Sequence, residues 1–309
     1  VLFVIAFISA QIYRHLAGGP SITEAALVLL TVFYSFGSKS GIYENNATLF
    51  LTAGLILAVY AWLQGKGVVV GLCMVALALF KAISLNWCPL LLLPRIRWKT
   101  LATLAVTTLL LNGLTLVSGG WNVYRKFFTE IVPSMNTPAG IGIPSFIFHL
   151  YGIFPKTIYL VLSSLLALWL YIAYYKNPVS PRRKARGPEI IAALAGTTAL
   201  FCLFNPTIWQ SYFSNYCCLP FAGWLLWEIQ QTKGFPRTAL IATAAVIGTL
   251  AYGDWFIDAI IKRFSPYTSI VFQLGVSQFI ETTVGPLFFY AIALQRLSVV
   301  PARKRLRRT

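Results

Sequence analysis

A lysine at the end of a long apolar stretch is the first candidate for chemistry in this sequence. Lys81 directly follows the glycine-containing apolar residues 67–80, and the polar residues Ser84 and Asn86 come soon after it. An ammonium group beside polar residues at a helix break is suited to hold a phosphate as a point charge. The alternative is that the Lys81 side chain extends to the membrane–water interface. We favour the phosphate role because the break places the polar residues beside the lysine.

Acidic residues are scarce, with eight in the chain, so each one is informative. Glu281 lies inside the last apolar run, where desolvation of a charge is costly, which makes a functional role one hypothesis and a structural ion pair the other. Glu189 and Glu228 flank the ends of apolar runs, and we expect both carboxylates to be solvated.

Motifs of soluble enzymes are absent from the sequence. It contains no P-loop, no GxGxxG, no HExxH and no GxSxG. The two histidines, His15 and His149, lie far apart, whereas a zinc site needs three or four ligands. We therefore expect no metal and no cofactor.

Composition shows what kind of chain must position these residues. Hydrophobic residues make up 58% of the 309 residues, charged residues 11%, and the mean hydropathy is +0.72. A soluble chain has about half apolar and about a quarter charged residues. A soluble enzyme, a disordered protein and a disulfide scaffold are excluded, and the sequence predicts an integral membrane protein.

The net charge of +17 has two explanations. In a soluble protein it would indicate nucleic-acid binding. In a membrane protein, lysine and arginine collect on cytoplasmic loops. We adopt the second explanation and expect no nucleic-acid partner.

The apolar runs predict an all-α, polytopic bundle of roughly ten transmembrane or re-entrant helices, forming a single domain over residues 1–309. The first run, Val1 to Tyr13, is too short to span a bilayer, so we expect the sequence to begin inside a transmembrane helix. The remaining runs are residues 22–36, 47–63, 67–80, 84–94, 99–118, 157–175, 189–204, 211–227, 237–253 and 268–294.

Two of these runs, residues 67–80 and 84–94, form either one long helix or two short helices that turn back. Charge favours the break, because Lys66 then lies on the same side as Arg97 and Lys99 and as most other basic residues. That side is expected to be cytoplasmic.

The opposite side carries loops with amphipathic segments. In residues 121–132, apolar residues including Trp121, Tyr124 and Phe128 fall on one helical face, and polar residues including Arg125 and Lys126 on another. Residues 254–268 have a similar pattern. Such helices lie in the membrane interface, where they either serve chemistry at the outer boundary or only anchor the loops.

Two stretches carry a resemblance to a known family. In residues 42–94, a polar turn with Asn45 and Asn46 opens a helix, a Gly-rich helix ends in Lys81, and an apolar run leads into a basic loop. In Phe204 to Tyr212, Pro206 and Trp209 stand as in a Ser-Pro-x-x-Trp-x-His turn, with Asn205 in place of the Ser and Ser211 in place of the His. This layout resembles the GT-C membrane glycosyltransferases of family 87, which includes polyprenol-phosphate-mannose-dependent mannosyltransferases and related arabinofuranosyltransferases.

The resemblance implies a polyprenyl-phosphate sugar as donor, a glycan or glycolipid as acceptor, membrane lipid as surroundings, and an active side that faces outward from the inner (plasma) membrane. The catalytic Asp of such enzymes lies in the first outer loop, which is expected upstream of Val1. The residues implied in donor binding are Lys81, Asn45, Asn46, Asn86 and Glu44, and those implied in lining the substrate are Asn205, Trp209 and Tyr212.

Two other functions remain open from the sequence. A secondary transporter would have broken helices, as near Lys81, but also internal repeats, which this sequence lacks. A non-catalytic membrane assembly subunit is the third possibility. The polar residues Glu44, Lys81, Asn86 and Asn205, grouped at one level, favour the enzyme.

Overall fold

The computed structural model describes residues 1–18, 48–80, 97–131, 143–153, 156–176, 187–205, 219–231 and 283–298, and within these ranges the regular structure is helical. The helices are α1 (Leu2–Ala17), α2 (Thr48–Leu63), α3 (Gly67–Phe80), α4 (Arg97–Gly119), α5 (Trp121–Lys126), α6 (Ile143–Tyr151), α7 (Lys156–Lys176), α8 (Gly187–Phe204), α9 (Leu219–Gln231) and α10 (Gly285–Ser298). A π-helical turn, Phe127–Ile131, continues α5.

Most predicted helices in these ranges are confirmed. The runs 47–63, 67–80, 99–118, 157–175 and 189–204 become α2, α3, α4, α7 and α8 almost residue for residue. α9 and α10 continue past their apolar runs, to Gln231 and Ser298, and α6 was not predicted. The runs 22–36, 84–94 and 237–253, and the amphipathic residues 254–268, lie outside the described residues.

Three of the helices in the described ranges are long and apolar enough to cross a membrane: residues 98–119, 157–176 and 187–204. Of these, α8 is largely buried within the bundle, whereas α4 and α7 are mainly exposed. A helix that is apolar all round can be buried on every side or surrounded by lipid. The chain is therefore a helical protein with membrane-spanning character, and α8 is the most buried of these three helices.

Glycine 196 lets two helices approach α8 closely. A Cβ atom at Gly196 would lie 2.6 Å from Cδ1 of Leu170 in α7 and 3.1 Å from Cβ of Ala293 in α10. Small residues at helix crossings let backbones approach, which is how membrane helices gain packing contacts. α7 and α10 therefore pack against the same part of α8.

Glycine 223 lets α1 and α9 approach each other closely. A Cβ atom at Gly223 would lie 2.6 Å from the backbone oxygen of Ser9 and 3.4 Å from Cβ of Tyr13. Near the C-terminal ends of both helices, Tyr13 Oη donates a hydrogen bond to Gln230 Oε1 at 2.5 Å. The two helices are held together by both close packing and a polar contact.

Helices α3 and α4 start at the same end of the bundle. A Cβ atom at Gly71 would lie 2.7 Å from Cβ of Thr103 and 3.0 Å from the backbone oxygen of Thr100. The break that was predicted between 67–80 and 84–94 lies outside the described residues.

The first turn of α8 meets the last turns of α1 and α2. A Cβ atom at Gly187 would lie 3.3 Å from Cδ2 of Leu63 and 3.4 Å from Cδ2 of Leu16. The turn at 64–66 then leads into α3, and α9 and α10 also end here. We call this the basic end, because the cations Arg14, Lys66, Arg97, Lys99, Lys176 and Arg296 lie in or beside the helix turns found here.

The chain turns at Gly119 and Gly120, where α4 gives way to α5. Gly120 has a positive φ of 64°, which glycine accepts readily. Tyr124 Oη then donates a hydrogen bond to Asn112 Oδ1 at 2.6 Å. The predicted helix is thus confirmed over the described residues 121–131, α-helical to Lys126 and π-helical after it, and Trp121 and Phe128 are exposed on it.

Candidate functional site

Three helices each have one end on the side of the bundle opposite the basic end. α2 begins at Thr48, α3 ends at Phe80, and α8 ends at Phe204. The α2–α3 hairpin is antiparallel, since a Cβ atom at Gly54 would lie 3.0 Å from Cδ2 of Leu77. We call this the far end; α5, which contains Arg125 and Lys126, and the start of α7 at Lys156 also lie on this side.

The far end of α8 is covered by an aromatic contact. The ring of Tyr159, in the first turn of α7, lies 6.3 Å from the ring of Phe204. Tyr159 is buried, and aromatic pairs at such spacing add to packing. This contact fixes the point from which the chain leaves α8.

Asn205 is the predicted site residue that the structure describes. It follows Phe204, is partly buried, and donates its backbone N–H to the carbonyl of Phe201 at 3.0 Å. The other predicted site residues lie outside the described residues: Glu44, Asn45, Asn46, Lys81, Asn86, Trp209 and Tyr212.

Several of these residues are nevertheless close in sequence to helix ends at the far end. Glu44, Asn45 and Asn46 precede the first residue of α2 by four or fewer positions. Lys81 follows the last residue of α3 directly. The segments that carry the predicted donor residues are therefore joined to helix ends on one side of the bundle.

An ion pair at the basic end, between the buried Glu228 and the partly buried Arg296, was missed by sequence reasoning. Glu228 was expected to be solvated, but it is 5% exposed, and its Oε1 accepts hydrogen bonds from Arg296 Nε at 2.5 Å and from Trp224 Nε1 at 3.1 Å. Arg296 also lies over the Trp227 ring, 4.7 Å from its centroid. The correction has a physical cause, because a carboxylate can be buried where a cation and a donor compensate its lost hydration.

The missed pair left one signal in the sequence. Trp224 and Glu228 are four residues apart and therefore adjacent on one helix face. The partner, Arg296, is 68 residues away, so its contact depends on tertiary structure.

A long apolar groove runs along α7. It has a volume of about 1040 Å³, at the upper end of the roughly 300–1,000 Å³ range of ligand pockets. Its lining comes from α6, α7, α8 and α10: Ile143, Leu162, Leu165, Leu166, Leu168, Trp169, Ile172, Ala173, Lys176, Leu203, Phe204, Leu287, Leu297 and Ser298. A groove of this composition can hold hydrocarbon, with polar groups at its Lys176 end.

The described part of the chain contains no cluster of side chains that could bind a metal ion. No group of three or more His, Cys, Asp or Glu side chains converges there.

Comparison of the chain with family models, with curated proteins and with solved structures gives no match.

Proposed function

We propose that this chain belongs to a membrane glycosyltransferase of GT-C type. It would move a sugar, mannose or a similar pentose or hexose, from a polyprenyl-phosphate donor to a glycan or glycolipid acceptor. The observation that carries the proposal is the common far end of Thr48, Phe80 and Phe204. Glu44–Asn46, Lys81 and Asn205 adjoin these three helix ends in sequence.

The chemistry follows from these residue types. A general base takes the proton of the acceptor hydroxyl as the hydroxyl oxygen attacks the sugar. The polyprenyl phosphate leaves with its negative charge, which cations and hydrogen-bond donors stabilise. In this proposal Lys81 holds that phosphate, Asn45, Asn46, Asn86 and Glu44 contact phosphate or sugar, and Asn205, Trp209 and Tyr212 line the substrate.

The membrane orientation belongs to the same proposal. Cations gather at the basic end, and the positive-inside rule assigns such an end to the cytoplasm. The far end then faces outward from the inner (plasma) membrane, in a polytopic bundle of roughly ten transmembrane or re-entrant helices. A lipid-linked sugar presented on the outer leaflet would meet the donor residues there.

The same geometry weighs against a secondary transporter. Transporters bind substrate near the middle of the membrane, between repeats. Here the candidate residues adjoin one end, and the buried pair of Glu228 and Arg296 lies in the last turns of α9 and α10, at the other end. An enzyme that works at one membrane face fits this distribution better.

Binding of a lipid-linked sugar tests the proposal. The chain in lipid nanodiscs should bind radiolabelled polyprenyl-phosphate-mannose. Lys81→Gln should weaken binding about tenfold or more, because a charge-assisted hydrogen bond contributes about 1.5–3 kcal/mol. Asn205→Ala should weaken it less, and Lys66→Gln, a matched change at the basic end, should leave it unaltered.

Two results would overturn the proposal. One is the absence of donor binding by the folded, monodisperse chain. The other is an equal loss of binding in Lys66→Gln and Lys81→Gln, which would mean that charge alone attracts the lipid. Accumulation of free sugar inside proteoliposomes, without transfer, would favour the transporter.

A further inference from the structure

The groove along α7 is asymmetric in charge. Its lining along α7 runs from Leu162 to Lys176, which is about 21 Å at 1.5 Å per residue. Most of its lining side chains are apolar, and its described polar side chains, Lys176 and Ser298, are both at the basic end. Its far-end lining, from Ile143, Leu203 and Phe204, is apolar. A ligand that fits this groove has a hydrocarbon chain and one polar, anionic head.

The cation at the groove is available for a ligand. Lys176 is exposed, and it forms no ion pair with the carboxylates in the described ranges. Ser298 is exposed on the facing last turn of α10. Lys176 and Ser298 line the same groove, and an ammonium and a hydroxyl can both donate hydrogen bonds to one phosphate group.

The depth of the groove matches a lipid chain. Tyr290 Oη donates a hydrogen bond to the backbone oxygen of Leu166 at 2.9 Å, which ties α10 to α7 at this level. Leu166 is ten residues from Lys176, or about 15 Å along the helix. The hydrocarbon of one leaflet is also about 15 Å thick, half of the bilayer core. A chain whose head lies at Lys176 reaches the Leu166 level and stays between α7 and α10.

We infer that this groove binds an anionic phospholipid, with its phosphate at Lys176 and Ser298 and an acyl chain along Ile172, Trp169 and Leu166. The head-group end of this site is separate from the proposed donor site, because the head lies at the basic end and the donor residues adjoin the far end. The inference does not rest on the proposed glycosyltransferase activity, since it needs only the groove and its terminal cation.

Native mass spectrometry of the chain released from nanodiscs tests this site. The nanodiscs contain phosphatidylcholine and phosphatidylglycerol in equal amounts, and the measured quantity is the ratio of retained phosphatidylglycerol to retained phosphatidylcholine. The wild-type chain should retain one phosphatidylglycerol. Lys176→Gln should lower the ratio about fivefold, since one lysine near a membrane surface contributes about 1 kcal/mol toward anionic lipid.

Matched variants separate the site from general effects. Lys156→Gln removes the lysine at the opposite end of the same helix and should leave the ratio unchanged. Ala173→Phe fills the groove and should abolish retention of either lipid, whereas Val161→Phe, on an exposed position that does not line the groove, should not. Each variant is checked for monodispersity and thermal unfolding, so that loss of the fold is recognised.

Three results would overturn the inference. The first is equal retention of both lipids by the wild-type chain. The second is an equal effect of Lys156→Gln and Lys176→Gln. The third is displacement of phosphatidylglycerol by an equimolar amount of polyprenyl phosphate in a Lys176-dependent manner, which would make the groove a site for the long-chain lipid.

Discussion

The Nε atom of Arg296 lies 2.5 Å from Oε1 of Glu228, and this contact joins α9 to α10 at the basic end. Trp224 donates to the same oxygen, and the Trp227 ring lies beneath the guanidinium. A buried ion pair contributes little net stability, but removal of one partner leaves an uncompensated buried charge. The pair therefore makes the α9–α10 contact sensitive to changes of either residue.

Substitution of one member of the pair should destabilise the fold. Arg296→Gln leaves the Glu228 carboxylate buried without its cation and should lower the free energy of unfolding by about 3 kcal/mol. The double variant Glu228→Gln/Arg296→Gln should recover a large part of this loss, because it removes the charge as well. Unfolding of the purified chain in mixed micelles measures both values.

The exposed cation at the end of α1 supplies the control. Arg14→Gln should change the free energy of unfolding by less than about 0.5 kcal/mol, as substitutions of exposed residues usually do. A loss in Arg14→Gln as large as that in Arg296→Gln would show that net charge, and not the buried contact, sets the stability.

Most helices in the described ranges could be predicted because each coincides with a long run of apolar residues. α3 ends directly before Lys81 and α8 directly before Asn205, where a polar residue interrupts each hydrophobic run. α9 instead continues through Glu228 and Gln230, because Arg296 and Tyr13 satisfy these polar groups from other helices. Hydropathy along one segment cannot show a partner that is distant in sequence.

The candidate site could be predicted only as a set of residue types. The sequence placed Lys81 and Asn205 at one level through the positive-inside rule. In the structure, the helices that precede these two residues, α3 and α8, both end at the far end of the bundle. The groove along α7 was not predicted, because α7 reads as apolar on every face, and the gap depends on how α6, α8 and α10 pack around it.

A side chain at Gly223 should separate α1 from α9. In Gly223→Ala the new Cβ would lie 2.6 Å from the Ser9 carbonyl oxygen, a backbone atom that cannot rotate away. We expect a loss of about 1–3 kcal/mol in the free energy of unfolding, as for other overpacked cores. The same micelle unfolding experiment measures it.

Gly113 is the matched control for that change. Its Cβ would meet nothing within 4 Å, so Gly113→Ala adds no clash. Alanine is favoured over glycine inside a helix by about 0.5–1 kcal/mol, and the variant should be unchanged or more stable. Destabilisation of both variants to the same extent would contradict the close α1–α9 contact.

The hydrogen bond from Tyr290 to Leu166 should stabilise the α7–α10 contact. Tyr290→Phe removes the donor at a partly buried site and should cost about 1 kcal/mol. Tyr171→Phe, which removes an exposed bond to Tyr175 Oη, should cost less. Thermal unfolding of the two variants compares them directly, and equal shifts would show that the Leu166 contact has no special weight.

Cysteine labelling tests the parallel course of α3 and α4 and the side of the membrane to which they belong. In a chain with its five native cysteines replaced, we expect Gln64→Cys and Lys99→Cys to react with an impermeant maleimide only after the cells are permeabilised. Asn122→Cys, at the other end of α4, should react in intact cells. All three positions are exposed, so the fold should tolerate the changes. Reaction of Gln64→Cys and Lys99→Cys from opposite sides would contradict the parallel start at Gly71 and Thr103. Reaction of both in intact cells would agree with the parallel start of α3 and α4 but would reverse the membrane orientation. The proposed donor residues would then face the cytoplasm.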